Sequence, residues 1–416
     1  METTNLEIKP TRALLVSVDT GEYDARSSLD ELFELAKSAG ADPVLSIEQK
    51  LSRIEPGTCV GSGKLEEITN VCKTEEIDLL IFDLELSPVQ IRNIENATDT
   101  RTIDRTMLIL DIFAQRAKSK EGKLQVELAQ LKYMLPRLTG KGIEMSRLGG
   151  GIGTRGPGET KLETDKRHIR RRMETLKDAL KEVENHRIQL RRRRKKDNVI
   201  TVAIVGYTNA GKSTLMNFLT EAGVLAQDKL FATLDPTSRA LKLPNGVSVM
   251  MIDTVGLVRR LPHHLVEAFK STLEEAALAD IILNVCDASS QEASLHLDVT
   301  EKLLVSLGCV DTPIVKVLNK CDLLADDMDI MRIRDAVKIS AKHGRGIDEL
   351  LKAIEDNLPL RVKTVKLLFP FDKAGLSAAL RATSVVNSEE YTENGIEVEA
   401  VIDEATYGRL REYVVD

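Results

Sequence analysis

The chain has 416 residues and a net charge of −7, a length that suggests about three domains rather than one. No apolar run approaches the roughly 18 residues of a membrane span, and the first ten residues are polar, without a signal peptide's apolar core. The five cysteines, Cys59, Cys72, Cys286, Cys309 and Cys321, show no CxxC pair, which argues against zinc and disulfide scaffolds and for a cytoplasmic protein with reduced thiols.

Residues 1–115 alternate strand-like runs (Ala13 to Val18, Leu79 to Phe82, Met107 to Leu110) with amphipathic helical patterns such as Ser28 to Ala39, predicting a small α/β domain. Its only glycine-rich stretch is Cys59 to Leu65. Gly57 lies six residues before Gly63, the wrong spacing for a phosphate loop, and Leu65 stands where a hydroxyl would hold Mg2+. The stretch reads as a turn that starts a helix.

Residues 116–197 form a basic arm on an acidic body. Arg116 to Lys196 holds 24 Lys/Arg against 10 Asp/Glu, a local +14, which leaves −21 for the rest of the chain. Charge distribution, more than its sum, decides whether nucleic acid can bind. Leu124, Leu128, Leu131 and Leu135 make one heptad seam, and Ile169, Met173, Leu176, Leu180 and Val183 another. Two facing seams predict an antiparallel helical hairpin. Between them, residues 137–160 contain eight glycines, a density that no helix or strand survives. Such a tip is either a solvated linker or a functional loop. At the end of a basic hairpin the second reading is favoured: bare backbone slides into a narrow, phosphate-lined space with Arg137, Lys141, Arg147, Arg155 and Lys161 as counterions. Candidate RNA contacts are therefore Arg147, Arg155, Lys161, Arg170, Arg171, Arg172, Arg191, Arg192, Arg193 and Arg194.

Residues 198–360 carry the chemistry. Gly206-Tyr207-Thr208-Asn209-Ala210-Gly211-Lys212-Ser213 is a full GxxxxGK[ST] phosphate loop. It lies between the apolar run Val199 to Val205 and a helical pattern from Lys212 to Leu219, the strand-loop-helix context the motif requires. Its amides would cradle phosphates, Lys212 would reach the β/γ oxygens, and the Ser213 hydroxyl would bind Mg2+. A second strand, Val247 to Ile252, delivers Asp253-Thr254-Val255-Gly256, with Asp253 linked to the metal through water and Gly256 letting backbone approach the γ-phosphate. A third, Ile314 to Leu318, delivers Asn319-Lys320-Cys321-Asp322. The Asp322 carboxylate can accept from two guanine N–H groups and would meet unpaired groups on adenine. Ser340-Ala341-Lys342 follows the strand-like Ala336 to Ile339 and fits a loop on the guanine carbonyl. Together the motifs specify GTP/GDP.

Residues 361–416 read strand, helix, strand, helix, with Val362 to Phe369 and Ile396 to Ile402 as the strands. The predicted fold class is thus α/β: a P-loop GTPase domain preceded by a small α/β domain and a helical hairpin, and followed by a small α/β module. A monomer without a membrane partner is expected.

The chain resembles the HflX family of translational GTPases. The likeness rests on the phosphate loop, Phe231-Ala232-Thr233-Leu234-Asp235-Pro236, the Asp253 to Gly256 set, and above all the glycine stretch Leu148 to Glu159 followed by Thr160-Lys161-Leu162-Glu163 and the arginine-rich helix. The resemblance implies a cytoplasmic GTPase that binds the large ribosomal subunit and its rRNA, inserts the arm toward the peptidyl-transferase centre, and in several members splits stalled ribosomes. It makes Thr233 the switch threonine whose hydroxyl completes the Mg2+ shell, beside catalytic roles for Lys212 and Gly256. Ras-like enzymes place a water-orienting glutamine after the switch glycine, whereas Leu257 cannot hydrogen-bond water. Two substitutes stay open. Asn209 occupies a position that resembles the cation-binding asparagine of potassium-activated GTPases, bringing in K+ beside Mg2+; or the ribosome orders the switches. An alternative function is ribosome assembly or RNA remodelling with the same arm.

Overall fold

The computed structural model describes residues 10–21, 23–138, 161–196, 199–220, 237–260, 276–324, 333, 335–359 and 362–415. They belong to two compact units, the first comprising Met1–His186, Lys229–Leu234 and Arg259–Phe269. At its centre lies a parallel sheet of β1 (Thr11–Asp19), β2 (Ala41–Lys50), β3 (Leu79–Phe82) and β4 (Arg101–Asp104), ordered β2-β1-β3-β4. Successive residues of β1 from Ala13 to Val18 are all buried, as a parallel sheet covered on both faces demands. Helices α2 (Ser62–Thr74) and α3 (Pro88–Thr98) supply Ile68, Cys72 and Ile94 to a core with Leu14, Val16, Leu80 and Phe82. Helix α1 (Ala25–Ser38) packs on β1 and on α4 (Arg105–Arg116). The expected turn before a helix is present, with Gly61 at the N-cap of α2.

The run Met107 to Leu110 corrects the sequence expectation: it is helix, inside α4, and the strand is Arg101–Asp104 just before it. Asp104 caps α4, its Oδ1 accepting from the Met107 amide at 2.9 Å. A short apolar run cannot by itself distinguish a buried strand from a buried helical turn; the cap decides it here.

Helix α5 (Lys120–Arg137) also differs in detail. Its buried stripe is Gly122, Val126, Ala129 and Tyr133, while Leu124, Leu128, Leu131 and Leu135 are half-buried. The small residues let α5 pack closely on α4, and the leucines form a second apolar face. Helix α6 (Lys161–Lys196) runs 36 residues, with Leu176 buried and Ile169, Met173, Leu180 and Val183 half-buried. The Arg172 guanidinium donates to both oxygens of Glu127 at 2.7 and 2.8 Å, bracing α6 against α5.

A buried ion cluster lies in this unit. Arg105 donates through Nη1 to Asp83 Oδ1 at 2.7 Å and pairs through Nη2 with Glu31 at 3.1 Å. Arg260, also of this unit, pairs with Asp83 Oδ2 at 2.6 Å. Asp83 is fully buried, so each oxygen exchanges water for a guanidinium.

The second unit comprises Arg187–Asp228, Asp235–Val258 and Lys270–Asp416. Its main sheet runs β10-β9-β8-β5-β7-β6, from β5 (Ile200–Gly206), β6 (Thr237–Lys242), β7 (Ser248–Asp253), β8 (Ile281–Asp287), β9 (Ile314–Asn319) and β10 (Ala336–Lys338). All pairs are parallel except β6 with β7. Among the described residues, helices α7 (Lys212–Leu219), α8 (Ala293–Ser306) and α9 (Ile347–Asp356) accompany this sheet. Beyond it, β11 (Val362–Phe369), α10 (Ala374–Thr383), β12 (Val385–Thr392), β13 (Gly395–Asp403), α11 (Glu404–Leu410) and β14 (Val414–Val415) build an antiparallel sheet ordered β12-β13-β11-β14. Strand β12 is absent from the sequence expectation. The Asn394-Gly395 pair that turns it into β13 is the hairpin signal that identifies it.

Candidate nucleotide site

The ends of β5, β7 and β9 bring Gly206, Asp253 and Asn319 to one sheet edge, where doubly wound folds bind ligands. Gly206 turns there at φ 144°, and a Cβ would meet the Val285 carbonyl oxygen at 2.0 Å. Gly211 ends the loop at φ 89°, where a Cβ would meet Asn319 Nδ2 at 2.1 Å. Only glycine fits either place.

Lys212 opens α7 with its ammonium buried, donating to the Tyr207 carbonyl at 2.7 Å. Burial holds its pKa down at about 8, against the pull of the Asp253 charge. Ser213 Oγ donates to Asp253 Oδ2 at 2.9 Å, and Thr254 Oγ1 ties the end of β7 to the Ile204 carbonyl at 2.7 Å. Val255 is buried. A Cβ on Gly256 would lie 2.7 Å from Thr208 Cγ2 and 3.0 Å from Lys212 Nζ. Leu257 pairs with the phosphate loop like a short strand: its amide donates to Gly206 O at 3.1 Å and its carbonyl accepts from the Thr208 amide at 2.7 Å. Asn209 is exposed at φ 60°.

Asn319 bonds to the protein at both ends of its amide. Its Nδ2 donates to Ala210 O at 2.8 Å and its Oδ1 accepts from the Ala341 amide at 2.9 Å. It therefore braces the phosphate loop to the Ser340–Lys342 loop, and its second N–H remains for a ligand acceptor. Asp322 Oδ1 accepts from Ser340 Oγ at 2.5 Å, a bond that, with the nearby His343 and Lys342, holds its carboxyl below the usual range. Lys320, at φ 63°, pairs with Asp287 at 2.8 Å, while the Cys321 thiol lies 3.2 Å from the Leu318 carbonyl. Asp287 and His343, the latter 3.5 Å from Asp322, escape sequence reading because neither belongs to a motif. Asp287 does end β8 on the same sheet edge, the one signal available.

Three family descriptions match in series: "GTP-binding GTPase N-terminal" over residues 26–114, "GTP-binding GTPase Middle Region" over 116–194 and "50S ribosome-binding GTPase" over 201–320. The chain is 50% identical to GTPase HflX of Caldanaerobacter subterraneus subsp. tengcongensis over 97% of its own length and 94% of that protein's. With GTPase HflX of Escherichia coli the figures are 41%, 92% and 91%. The chain belongs to the HflX family of GTPases. Like its family it hydrolyses GTP to GDP and phosphate. A crystal structure of the SsGBP and GDP complex is also similar, at 26% identity and TM-score 0.48, covering 83% of this chain and 98% of that one.

The switch segment Phe231 to Asp235 of this HflX-family chain, with Thr233, lies outside the described residues, as do the glycine stretch, Arg147 and Arg155. Arg170, Arg171 and Arg192 are exposed on α6; Lys161, Arg191, Arg193 and Arg194 belong to the same helix. Two basic residues make contacts that the sequence does not show. Arg172 is committed to Glu127. Arg137 lies over the Tyr133 ring at 3.3 Å and donates to Leu86 O at 2.9 Å, so it fastens α5 to the α/β core. No helix of the described residues is long and apolar enough to cross a membrane.

Proposed function

We propose that this GTPase binds the large ribosomal subunit in the cytoplasm and uses GTP to drive splitting or rescue of stalled ribosomes. The observation that carries it is α6, a 36-residue helix with exposed Arg170, Arg171 and Arg192, in a chain whose nucleotide region resembles ribosome-binding GTPases. Exposed arginines on a long helix make phosphate contacts at low cost in ordering.

In this reading the amides of Gly206 to Ser213 hold the phosphates, Lys212 neutralises the β/γ oxygens, and Asp322 selects guanine. The Ser213 hydroxyl and the Asp253 carboxylate converge at 2.9 Å, the hard oxygen donors that Mg2+ takes. They would hold it with Thr233, Asp253 acting through water. When bound, the ion offsets charge on the phosphate oxygens. Leu257 gives the attacking water no hydrogen bond, so turnover by the free protein is slow and rises on the large subunit. Equal rates with and without subunits would refute that step. A rate several times higher in K+ than in Na+ would assign Asn209 to a cation; equal rates leave orientation to the ribosome.

Co-sedimentation with a non-hydrolysable GTP analogue at several salt concentrations tests the whole reading. Mature large subunits in the bound fraction, with loss of intact ribosomes, support it. Binding to precursor particles alone would favour assembly or RNA remodelling, and binding to neither would reduce the arm to a solvated appendage.

A further inference from the structure

We propose that His296, outside every nucleotide motif, is a positioning residue for the phosphate loop, acting through the ring of Tyr207. The imidazole stacks on that ring with centroids 4.0 Å apart and planes 21° apart. Tyr207 is 9% exposed, and its carbonyl accepts from the buried Lys212 ammonium at 2.7 Å. Gly206, just before Tyr207, and Asn209, two residues after it, hold the loop backbone at positive φ, 144° and 60°. A rotation of the peptide between Tyr207 and Thr208 would carry the Tyr207 carbonyl away from Lys212 and break the Thr208 amide bond to Leu257. The ring stack opposes that rotation.

The support behind the stack is firm. His296 stands on α8, which is fastened to β8 by Asn284 Nδ2 on Leu297 O at 3.3 Å and by Cys286 Sγ on Ala293 O at 3.3 Å. Ala293, Leu297 and Thr300 of the same helix are buried. Glu292, one turn before His296, places a carboxylate oxygen 3.7 Å from its Nε2. The Leu257 pairing with Gly206 and Thr208 steadies the loop from the other side, and Leu257 directly follows the switch glycine. The stack itself involves no residue of the switch motif. A first shell held by packed neighbours is what keeps a charge aimed at the position where it is needed.

This inference rests on Lys212 meeting the phosphates, so Lys212→Ala is run beside the test. Full GTP affinity and hydrolysis in Lys212→Ala would sink that assignment, and the inference with it. In the full chain, His296→Leu keeps the volume and loses the ring. Single-turnover GTP hydrolysis should fall about fivefold while GDP affinity stays within about twofold, the split expected of a misaimed Lys212. His296→Phe, which keeps a ring, should restore hydrolysis to within about twofold of the parent. In a cycle with Tyr207→Leu, the double variant should be no slower than Tyr207→Leu alone, because both changes remove one interaction. An unchanged rate in His296→Leu would overturn the proposal. So would a lower melting temperature at full rate, failure of Phe to rescue, or additive losses in the cycle.

Discussion

Lys212→Met removes a buried ammonium, and nucleotide-stripped protein carrying the change should melt at a higher temperature than the parent. Burial lowers the Lys212 pKa from 10.5 to about 8. At ~1.4 kcal/mol per pKa unit, the charged form costs roughly 3 kcal/mol at neutral pH. Methionine is unbranched, nearly as long and uncharged, so it fills the space without that cost. The variant leaves the Tyr207 carbonyl without its 2.7 Å donor, which takes back about 1 kcal/mol. The net gain of about 2 kcal/mol corresponds to about 4–8 °C for a domain of ordinary size. The sign with pH follows from proton counts. Between about pH 8 and 10.5 the native lysine has lost its proton and the unfolded one has kept it, so parent stability rises with pH across that window. The variant has no such term. Its advantage is therefore full below pH 8 and shrinks toward pH 10.5. Differential scanning fluorimetry of nucleotide-stripped protein from pH 7 to pH 10 measures both. A variant that melts lower, or an advantage independent of pH, would refute the reasoning. With GTP the order reverses, because phosphates stabilise the charge that methionine lacks.

Asp322→Asn should weaken GTP at least about a hundredfold, since an amide cannot accept from both guanine N–H groups, and should gain affinity for xanthosine triphosphate; fluorescent-nucleotide titration reads both. Because the Ser340 bond holds the Asp322 carboxyl below its usual range, GTP affinity should persist as pH falls through that range and fail only below it. Gly256→Ala places a Cβ 2.9 Å from Thr208 Cα; hydrolysis should drop about tenfold or more with GDP affinity retained, and a normal rate would show that backbone does not approach the γ-phosphate here. Asp83→Asn leaves Arg105 and Arg260 facing an uncharged amide in a buried cluster, and urea unfolding should show a loss of about 3–5 kcal/mol. Replacing Arg191 to Arg194 with alanine should weaken binding to the large subunit and flatten its salt dependence while nucleotide affinity holds.

What the sequence made legible is what chemistry ties to fixed spacing. The phosphate loop must join a strand to a helix, so β5 and α7 could be read within a residue of their observed ends. What it left illegible depends on tertiary neighbours. Met107 to Leu110 has strand-like composition, yet the Asp104 cap and the packing of α4 on α5 make it helix. Arg137 looks like a free counterion until Tyr133 and Leu86 are beside it. Asn319 stands in a nucleotide motif, and only the structure shows that it also ties the phosphate loop to the Ser340–Lys342 loop through Ala210 and Ala341.

Leu257 shows the same principle at the catalytic edge. Read alone, it is a missing glutamine. In place it is 6% exposed and strand-paired with the phosphate loop. A glutamine buried to that degree would take its amide out of water, at about 1–3 kcal/mol for each polar group left unpaired. The leucine side chain suits the buried position without that cost, and it denies the protein a water-orienting amide there. The packing of this one residue supports the proposal that turnover by the free protein is slow and leaves the water to be oriented by a group other than the side chain at position 257.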